Sequence, residues 1–295
     1  MKDFLDRNKI SYLLNEPLKN HTSFKIGGET EYFILPKNEA ELCAVIGKLN
    51  ADGRPYAVIG KGSNLLVPDE GTSKVVVRLS GEFEKIELID ETTVKAYAGV
   101  NLISLCKFAL ENELTGLEFA YGIPGSVGGG VYMNAGAYGG QMSDVVSGVT
   151  HMTGNGEIAS FSEDELSFDY RKSVYTNGSN IILSAVFSLE KGNKEEIREK
   201  MADFLNRRKS KQPLEFPSAG SVFKRPEGYF AGALIEQCGL KGRSVGGCQV
   251  SEKHAGFIVN KGGATCRDVL ELIKICQDTV KEKFAVSLET EIKMI

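Results

Sequence analysis

The chain has 295 residues, 42% of them hydrophobic and 25% charged, which is enough for one large domain or two ordinary domains with a substantial core. A formal net charge of −4 is unlike the basic surface of a dedicated nucleic-acid binder, so we expect no nucleic-acid partner. The charged N-terminus lacks the apolar stretch of a secretory signal, and no run of about eighteen apolar residues could span a bilayer. We therefore expect a cytoplasmic protein without membrane insertion.

The first part of the chain alternates strands with a helix. Strands are predicted at 31–36 and 56–60, and residues 39–49 place Leu42, Val45, Ile46 and Leu49 on one helical face. The second strand continues into a Gly-Lys-Gly-Ser-Asn turn at 60–64. Its glycines free the backbone, and its serine and asparagine could bind an oxygen-rich anion. Taken alone, an ordinary loop is the better explanation.

The middle of the chain is rich in predicted strands. A helix is predicted at 101–111, and strands are predicted at 74–79, 85–89, 93–99, 144–153, 157–161 and 181–189. Gly154-Asn155-Gly156 predicts a hairpin turn. A glycine-rich run at 122–130 continues through 134–139; its G-x-x-G-x-x-G-G spacing fits neither the dinucleotide fingerprint nor the Walker loop. Glycine N–H groups around Ser126 could cradle phosphate, and a tight structural turn is an equal alternative.

The last hundred residues begin at a Lys-Gly-Asn-Lys break near residue 191, where we predict a domain boundary. Helices are predicted at 195–209 and 229–238, with a strand at 257–259. A further helix follows a capping signal at Thr265–Asp268. The alternating pattern of 286–295 predicts a terminal strand with Glu289 and Glu291 on one face.

Three residues stand out as chemically useful, each with a plainer alternative. Arg171, in Asp-Tyr-Arg-Lys-Ser, has a planar fork suited to carboxylate or phosphate, but a surface ion pair is the commoner role. Ser221 follows Ala-Gly and could approach a ligand closely, or satisfy a local turn. Glu291 could act as an acid if buried, or lie on a solvated face.

The cysteines and histidines predict no metal site. Six cysteines form no C-x-x-C pair, and three scattered histidines show no ligand spacing, so we expect reduced thiols. A Ser-His-Asp hydrolase has little support, because no G-x-S-x-G elbow lies between a strand and a helix.

Taken together, these segments resemble a known family. The motifs HTSFKIGG, GKGSNLLV, GIPGSVGGGVYMNAGAYG, YRKS, SAGSVFK, GLKG, HAGFIVN and LETEI cover the chain from about His21 to Ile295. The combination resembles the UDP-N-acetylenolpyruvoylglucosamine reductases, also called UDP-N-acetylmuramate dehydrogenases, in their shorter, type II form. These flavoenzymes complete UDP-N-acetylmuramate for peptidoglycan.

The resemblance implies an α+β fold. A two-part FAD-binding module of the vanillyl-alcohol-oxidase (PCMH) type would occupy residues 1–75 and 76–191. A smaller α/β substrate-binding domain would occupy 192–295, with its C-terminal strand returning to the flavin site.

The resemblance also implies the chemistry. NADPH would reduce a non-covalently bound FAD, and flavin N5 would then pass hydride to C3 of the enolpyruvyl group of UDP-N-acetylglucosamine enolpyruvate. Ser221 would deliver a proton to C2, while Arg171 and Glu291 would stabilise the enolate-like charge. We expect a monomer.

Binding residues follow by the same resemblance. Substrate would be held by Lys211, Lys224 and Arg225, although the family often has asparagine at the position of Arg225. How this shorter form closes over substrate is left open. The residues expected to hold FAD are Gly60, Lys61, Gly62, Ser63, Asn64, Gly122, Ile123, Pro124, Gly125, Ser126, Gly128, Gly129, Asn134, Ala135 and Gly136.

Two other functions fit the same sequence. One is a flavin oxidase or dehydrogenase acting on an alcohol or sugar, in which His21 could hold flavin covalently only if it faced the ring. The other is a non-catalytic nucleotide-binding module. Turnover of NADPH with the enolpyruvyl substrate would distinguish the reductase from both.

Overall fold

A computed structural model describes the backbone of residues 1–295 and every side chain except that of Asn177. The helices are α1 (Lys2–Arg7), α2 (Glu39–Ala51), α3 (Leu102–Glu111), α4 (Val127–Tyr132), α5 (Lys194–Lys211), α6 (Ala231–Gln237) and α7 (Cys266–Phe284). The strands are β1 (Ser11–Pro17), β2 (Glu29–Leu35), β3 (Tyr56–Val58), β4 (Leu65–Leu66), β5 (Val75–Val77), β6 (Ile86–Leu88), β7 (Thr93–Tyr97), β8 (Leu114–Thr115), β9 (Gly136–Ala137), β10 (Gly140–Gln141), β11 (Val146–Met152), β12 (Ile158–Ser162), β13 (Ile181–Ser188), β14 (Glu190–Lys191), β15 (Ser218–Ser221), β16 (Ser244–Val245), β17 (Cys248–Val250), β18 (Phe257–Asn260) and β19 (Lys293–Met294).

The chain divides into two compact units. Unit 1 comprises residues 1–14, 32–61 and 74–207, and unit 2 comprises residues 15–31, 62–73 and 208–295. Each unit has its own cluster of buried apolar side chains. The predicted three-part division, with boundaries after residues 75 and 191, stays a prediction.

Unit 1 contains an antiparallel sheet of order β12-β11-β13-β7-β6. The predicted Gly-Asn-Gly turn joins β11 to β12, where the Thr153 N–H donates to the Glu157 carbonyl at 2.8 Å. Residues 32–35 of β2 belong to a smaller sheet, in which β5 pairs in parallel with both β2 and β3. Helix α2 is capped by the Asn38 side chain and buries the four apolar residues predicted from its periodicity.

Unit 2 contains an antiparallel sheet of order β15-β18-β17-β16, with helices α6 and α7. Helix α7 begins at the predicted signal, because Thr265 and Asp268 form a reciprocal capping box. Its buried face includes Val269, Leu272, Ile273, Cys276 and Val280, as the sequence predicts. The combination of helices with mainly antiparallel sheets confirms the α+β class.

The predicted strand at 286–295 is wrong for most of its length. Helix α7 ends at Phe284, because Ala285 has a left-handed φ of +57° that stops the helix. Beyond it, only Lys293–Met294 forms a strand, which is paired in parallel with β4. An isolated bridge joins Thr290 to Phe223. Leu288 and Ile292 are buried while Thr290 is exposed, so the two-residue alternation is interrupted.

The predicted helix at 229–238 also begins later than expected. Its first turn is replaced by a bend in which the Tyr229 N–H donates to the Pro226 carbonyl, and Phe230 has an extended backbone. Across the described residues, no helix combines the length and the apolarity needed to cross a membrane.

Candidate active site

The loop that follows β3 requires glycine at two positions. A Cβ on Gly60 would lie 2.4 Å from Ser126 Oγ, so this loop and the glycine-rich run touch within unit 1. In unit 2, Gly62 has a φ of +64°, and a Cβ there would lie 2.0 Å from the His21 carbonyl oxygen. The Ser23 N–H donates to the Gly62 carbonyl at 3.1 Å. The close approach of a side-chain hydroxyl at Gly60 and of a backbone carbonyl at Gly62, more than flexibility, explains these glycines.

The glycine-rich run is held to the end of β7 and the start of α3 by main-chain bonds. The N–H groups of Val127 and Gly128 donate to the carbonyls of Val100 and Ala98 at 2.8 and 2.9 Å. The Ser126 hydroxyl caps α4 by accepting from the Gly129 N–H at 3.3 Å. Much of the predicted N–H cradle therefore fixes the shape of the loop itself.

A smaller set of N–H groups is available for a ligand. In the part of unit 1 that the structure describes, the N–H groups of Gly60, Lys61 and Ser126 donate to no protein acceptor. Ser126 is only 2% exposed, and buried N–H groups are rarely left unpaired in proteins. Because Gly60 packs against Ser126, these donors are neighbours and suit an anion. They fit the pyrophosphate of FAD, the cofactor implied by the resemblance.

The second part of the run leads to Arg171. The Ala135 N–H donates to the Gly130 carbonyl at 2.8 Å, which sets residues 134–136 directly after α4. The guanidinium of Arg171 donates to the carbonyls of Asn134 and Gly136 at 3.4 and 3.2 Å. The structure therefore brings Asn134, Gly136 and Arg171 together within unit 1.

Helix α4 is also tied to the Tyr-Arg-Lys-Ser motif through Tyr132. The Ser173 hydroxyl donates to the Tyr132 carbonyl at 2.9 Å, and the Tyr132 hydroxyl donates to the Thr176 carbonyl at 3.1 Å. Burial raises the pKa of Tyr132 above its ordinary value, so the phenol stays protonated as this donor.

In unit 2, Ser221 and Glu291 lie on adjoining pieces of main chain. The Glu291 N–H donates to the Val222 carbonyl at 2.8 Å, and the Lys224 N–H donates to the Glu289 carbonyl at 2.9 Å. The pairing of β15 with β18 is irregular between Ser218 and Ser221, and Gly220 has a φ of +76°. Such an irregularity re-aims the side chain that follows it.

Asn64 joins the first glycine loop to this pair of segments. Its Nδ2 donates to the Glu291 carbonyl at 3.2 Å, and its own carbonyl accepts from the Lys293 N–H at 2.9 Å. The structure therefore brings Asn64, Ser221 and Glu291 together in unit 2.

The three predicted substrate-binding cations lie in different local environments. Lys224 Nζ lies 3.1 Å from Glu289 Oε2, and Arg225 Cζ lies 4.0 Å from the centre of the Phe230 ring. Lys211 is exposed at the last position of α5. Within the described residues, no hydrogen bond or ion pair joins Lys211 to Ser221 or Lys224.

Sequence reasoning missed the residues that fix these loops. His21 and Ser23 support Gly62, and Asp169, Gln141 and Ser143 contact the Asn134 side chain. The only available signal was residue type, since glycine and asparagine are the residues that most readily adopt positive φ. Their partners lie too far along the chain for a local pattern to reveal.

Two family profiles match the chain. A profile described as "FAD binding domain" matches residues 30–162, and one described as "UDP-N-acetylenolpyruvoylglucosamine reductase, C-terminal domain" matches residues 212–295.

Known proteins match over the full length. The UDP-N-acetylenolpyruvoylglucosamine reductase of Caldanaerobacter subterraneus subsp. tengcongensis is 50% identical over 295 residues, covering 100% of this chain and 96% of that protein. The reductase of Alkaliphilus oremlandii is 49% identical, covering 96% of this chain and 93% of that protein. The crystal structure of the Thermus caldophilus reductase (MurB) superposes with a TM-score of 0.83 at 38% identity, covering 97% and 98% of the two chains.

Proposed function

The chain belongs to the UDP-N-acetylenolpyruvoylglucosamine reductase family, and on that premise we propose that it reduces UDP-N-acetylglucosamine enolpyruvate to UDP-N-acetylmuramate with NADPH. The product is a peptidoglycan precursor, and we propose that the protein acts as a cytoplasmic monomer. The structural observation that carries the proposal is the main-chain pairing of Glu291 with Val222, which sets a hydroxyl and a carboxylate on adjoining segments beside Asn64.

FAD would supply the two-electron chemistry, taking hydride from NADPH and delivering it to C3 of the enolpyruvyl group. Its pyrophosphate would be held by the loops whose N–H donors are described above. We assign cofactor binding to Gly60, Lys61, Gly62, Ser63, Asn64, Gly122, Ile123, Pro124, Gly125, Ser126, Gly128, Gly129, Asn134, Ala135 and Gly136.

The residues of this chain would stabilise the developing charge, supply a proton and bind the substrate. As C3 is reduced, negative charge develops on C2 and the substrate carboxylate, and the Arg171 guanidinium would stabilise it together with a protonated, hydrogen-bonding Glu291. The Ser221 hydroxyl would donate its proton to C2 and regain one from solvent. Lys211, Lys224 and Arg225 would bind the anionic nucleotide part of the substrate.

The decisive experiment is an anaerobic visible absorption series on the purified protein. We expect a flavin spectrum that bleaches when NADPH is added and recovers when UDP-N-acetylglucosamine enolpyruvate follows. UDP-N-acetylglucosamine is the matched control, because it lacks the enolpyruvyl group and should restore no absorption. A flavin that bleaches but does not recover with substrate would indicate another flavoenzyme, and a protein unable to bind FAD would contradict the proposal altogether.

A further inference from the structure

Arg171 lies at the tip of a tight turn that is conformationally costly. The N–H and carbonyl of Asp169 pair with the carbonyl and N–H of Lys172 at 3.0 and 3.1 Å, leaving Tyr170 and Arg171 at the tip. Arg171 has a φ of +56°, in the left-handed region that side chains other than glycine, asparagine and aspartate rarely adopt. Such a conformation persists only where surrounding contacts enforce it.

The Asn134 side chain provides a contact of that kind. Its Nδ2 donates to the Asp169 carbonyl at 3.1 Å and to Gln141 Oε1 at 3.4 Å, and its Oδ1 accepts from the Ser143 N–H at 2.9 Å. The Ser143 main-chain N–H can only donate, so the Asn134 atom that faces it must be the amide oxygen, and this fixes the orientation of the amide. Asn134 is 2% exposed, and water cannot replace these bonds easily.

Asn134 contacts the turn at residues 169–172 through both its side chain and its main chain. Asn134 supports the first residue of the turn through its side chain, and its carbonyl receives the Arg171 guanidinium at 3.4 Å. The second guanidinium contact, to the Gly136 carbonyl at 3.2 Å, lies two residues further along the same segment. A shift of residues 134–136 would therefore move both the turn and the end of the arginine side chain.

We propose that Asn134 is the positioning residue for Arg171, and that its amide sets the direction in which the guanidinium points. This inference rests on the proposed function, in which Arg171 stabilises the charge that develops on the substrate. Asn134 also belongs to the proposed FAD-binding set, so the inference predicts that losing the amide slows the step that needs the arginine more than it slows flavin reduction by NADPH.

Asn134→Gly is the sharpest test, because glycine adopts the Asn134 φ of +40° without strain and the substitution removes the side chain that carries the amide. Asn15→Gly is the matched control, since Asn15 also has a positive φ, of +48°, and is exposed. In anaerobic stopped-flow measurements we expect Asn134→Gly to slow reoxidation of the reduced flavin by substrate roughly 10- to 100-fold. The rate of flavin reduction by NADPH should fall by a smaller factor than the rate of reoxidation, and an equal fall in both half-reactions would overturn the inference.

Two further measurements separate positioning from a general structural role. In an Arg171→Ala background, Asn134→Gly should cause no additional slowing, because the two residues act through one contact. Equal slowing in both backgrounds would overturn the inference. If the glycine variant does not fold, Asn134→Asp serves instead: it tolerates positive φ and keeps the acceptor for Ser143 but lacks the donor for Asp169.

Amide hydrogen exchange in residues 169–172 tests the inference without any turnover. We expect faster exchange at Asp169 and Lys172 in Asn134→Gly and no change there in Asn15→Gly. Unchanged exchange in the Asn134 variant would overturn the inference whatever the activity. Faster exchange in a protein whose flavin is never reoxidised by substrate would support the inference and count against the proposed reduction.

Discussion

The two units hold the proposed catalytic residues by different means. In unit 2, Ser221 and Glu291 are placed by main-chain hydrogen bonds, from the Val222 N–H to Gly256 and from the Glu291 N–H to Val222. In unit 1, Arg171 lies in a turn closed by main-chain bonds between Asp169 and Lys172, but the direction of its guanidinium also depends on side-chain contacts with residue 134. Main-chain pairing tolerates most substitutions, whereas a side-chain contact is lost with one. The placement of the proposed catalytic residues should therefore tolerate substitution in unit 2 and be sensitive to it in unit 1.

The largest effect expected from this difference is at Ser221. Ser221→Ala removes the proposed proton donor and leaves the main-chain pairing in place, so reoxidation of flavin by substrate should slow about 10²- to 10⁴-fold with little loss of stability. Flavin reduction by NADPH should stay near normal in stopped-flow measurements. Ser218→Ala, on the same strand, is the control and should match the parent protein. Equal loss in both half-reactions would contradict the proton-donor role.

A segment held by main-chain hydrogen bonds should lose stability when a new side chain keeps two backbones apart. Gly62→Ala puts a Cβ 2.0 Å from the His21 carbonyl oxygen at a φ of +64°. We expect the free energy of unfolding to fall by about 2 to 4 kcal/mol, from overpacking combined with the unfavourable φ. Urea denaturation of the FAD-free protein measures this.

Gly47→Ala is the matched control for that substitution. Gly47 is exposed within α2, and a Cβ there meets no atom within 4 Å. It should raise stability by roughly 0.5 to 1 kcal/mol, because alanine is the better helix former. If Gly62→Ala were as stable as Gly47→Ala, the close approach at His21 would not be what holds this loop.

The same difference explains which elements could be predicted from the sequence. The buried faces of α2 and α7 follow from local periodicity and capping signals, so they were predicted residue by residue. The extent of the terminal strand was predicted wrongly, because its two short pairings depend on β4 and on the segment around Phe223, both distant in sequence. Alternation of residue types alone cannot show whether a partner strand is present.

The candidate site divides in the same way. The glycine-rich run and the positions of Arg171, Ser221 and Glu291 were located from motifs and family resemblance. What each glycine touches was not predictable, because Gly60 meets Ser126 and Gly62 meets His21 only after folding. The role of Asn134 depends on Asp169, which no local pattern connects to it.

Because side-chain contacts help to hold unit 1 together, protonating one of those side chains should lower its stability. The buried carboxylate of Glu118 tests this. Glu118 is 3% exposed, accepts from Thr115 Oγ1 at 2.6 Å and the Gly116 N–H at 2.9 Å, and lies 3.7 Å from Lys200 Nζ. Burial favours the neutral acid, but these hydrogen bonds and the lysine outweigh it, and the pKa of Glu118 is lowered from its ordinary value.

The sign of the pH effect follows from that lowered pKa. The carboxylate stabilises the fold fully above the ordinary glutamate pKa of about 4.3, and the stabilisation is lost as pH falls through the lower folded value. Glu118→Gln should therefore cost about 1 to 3 kcal/mol at pH 7 and progressively less on acidification, as measured by urea denaturation between neutral pH and about pH 3.5. Glu87→Gln, at an exposed position in β6, should stay within about 0.5 kcal/mol of the parent protein at every pH. If the difference between Glu118→Gln and the parent did not shrink with acid, the buried carboxylate would not be what ties this segment of unit 1 together.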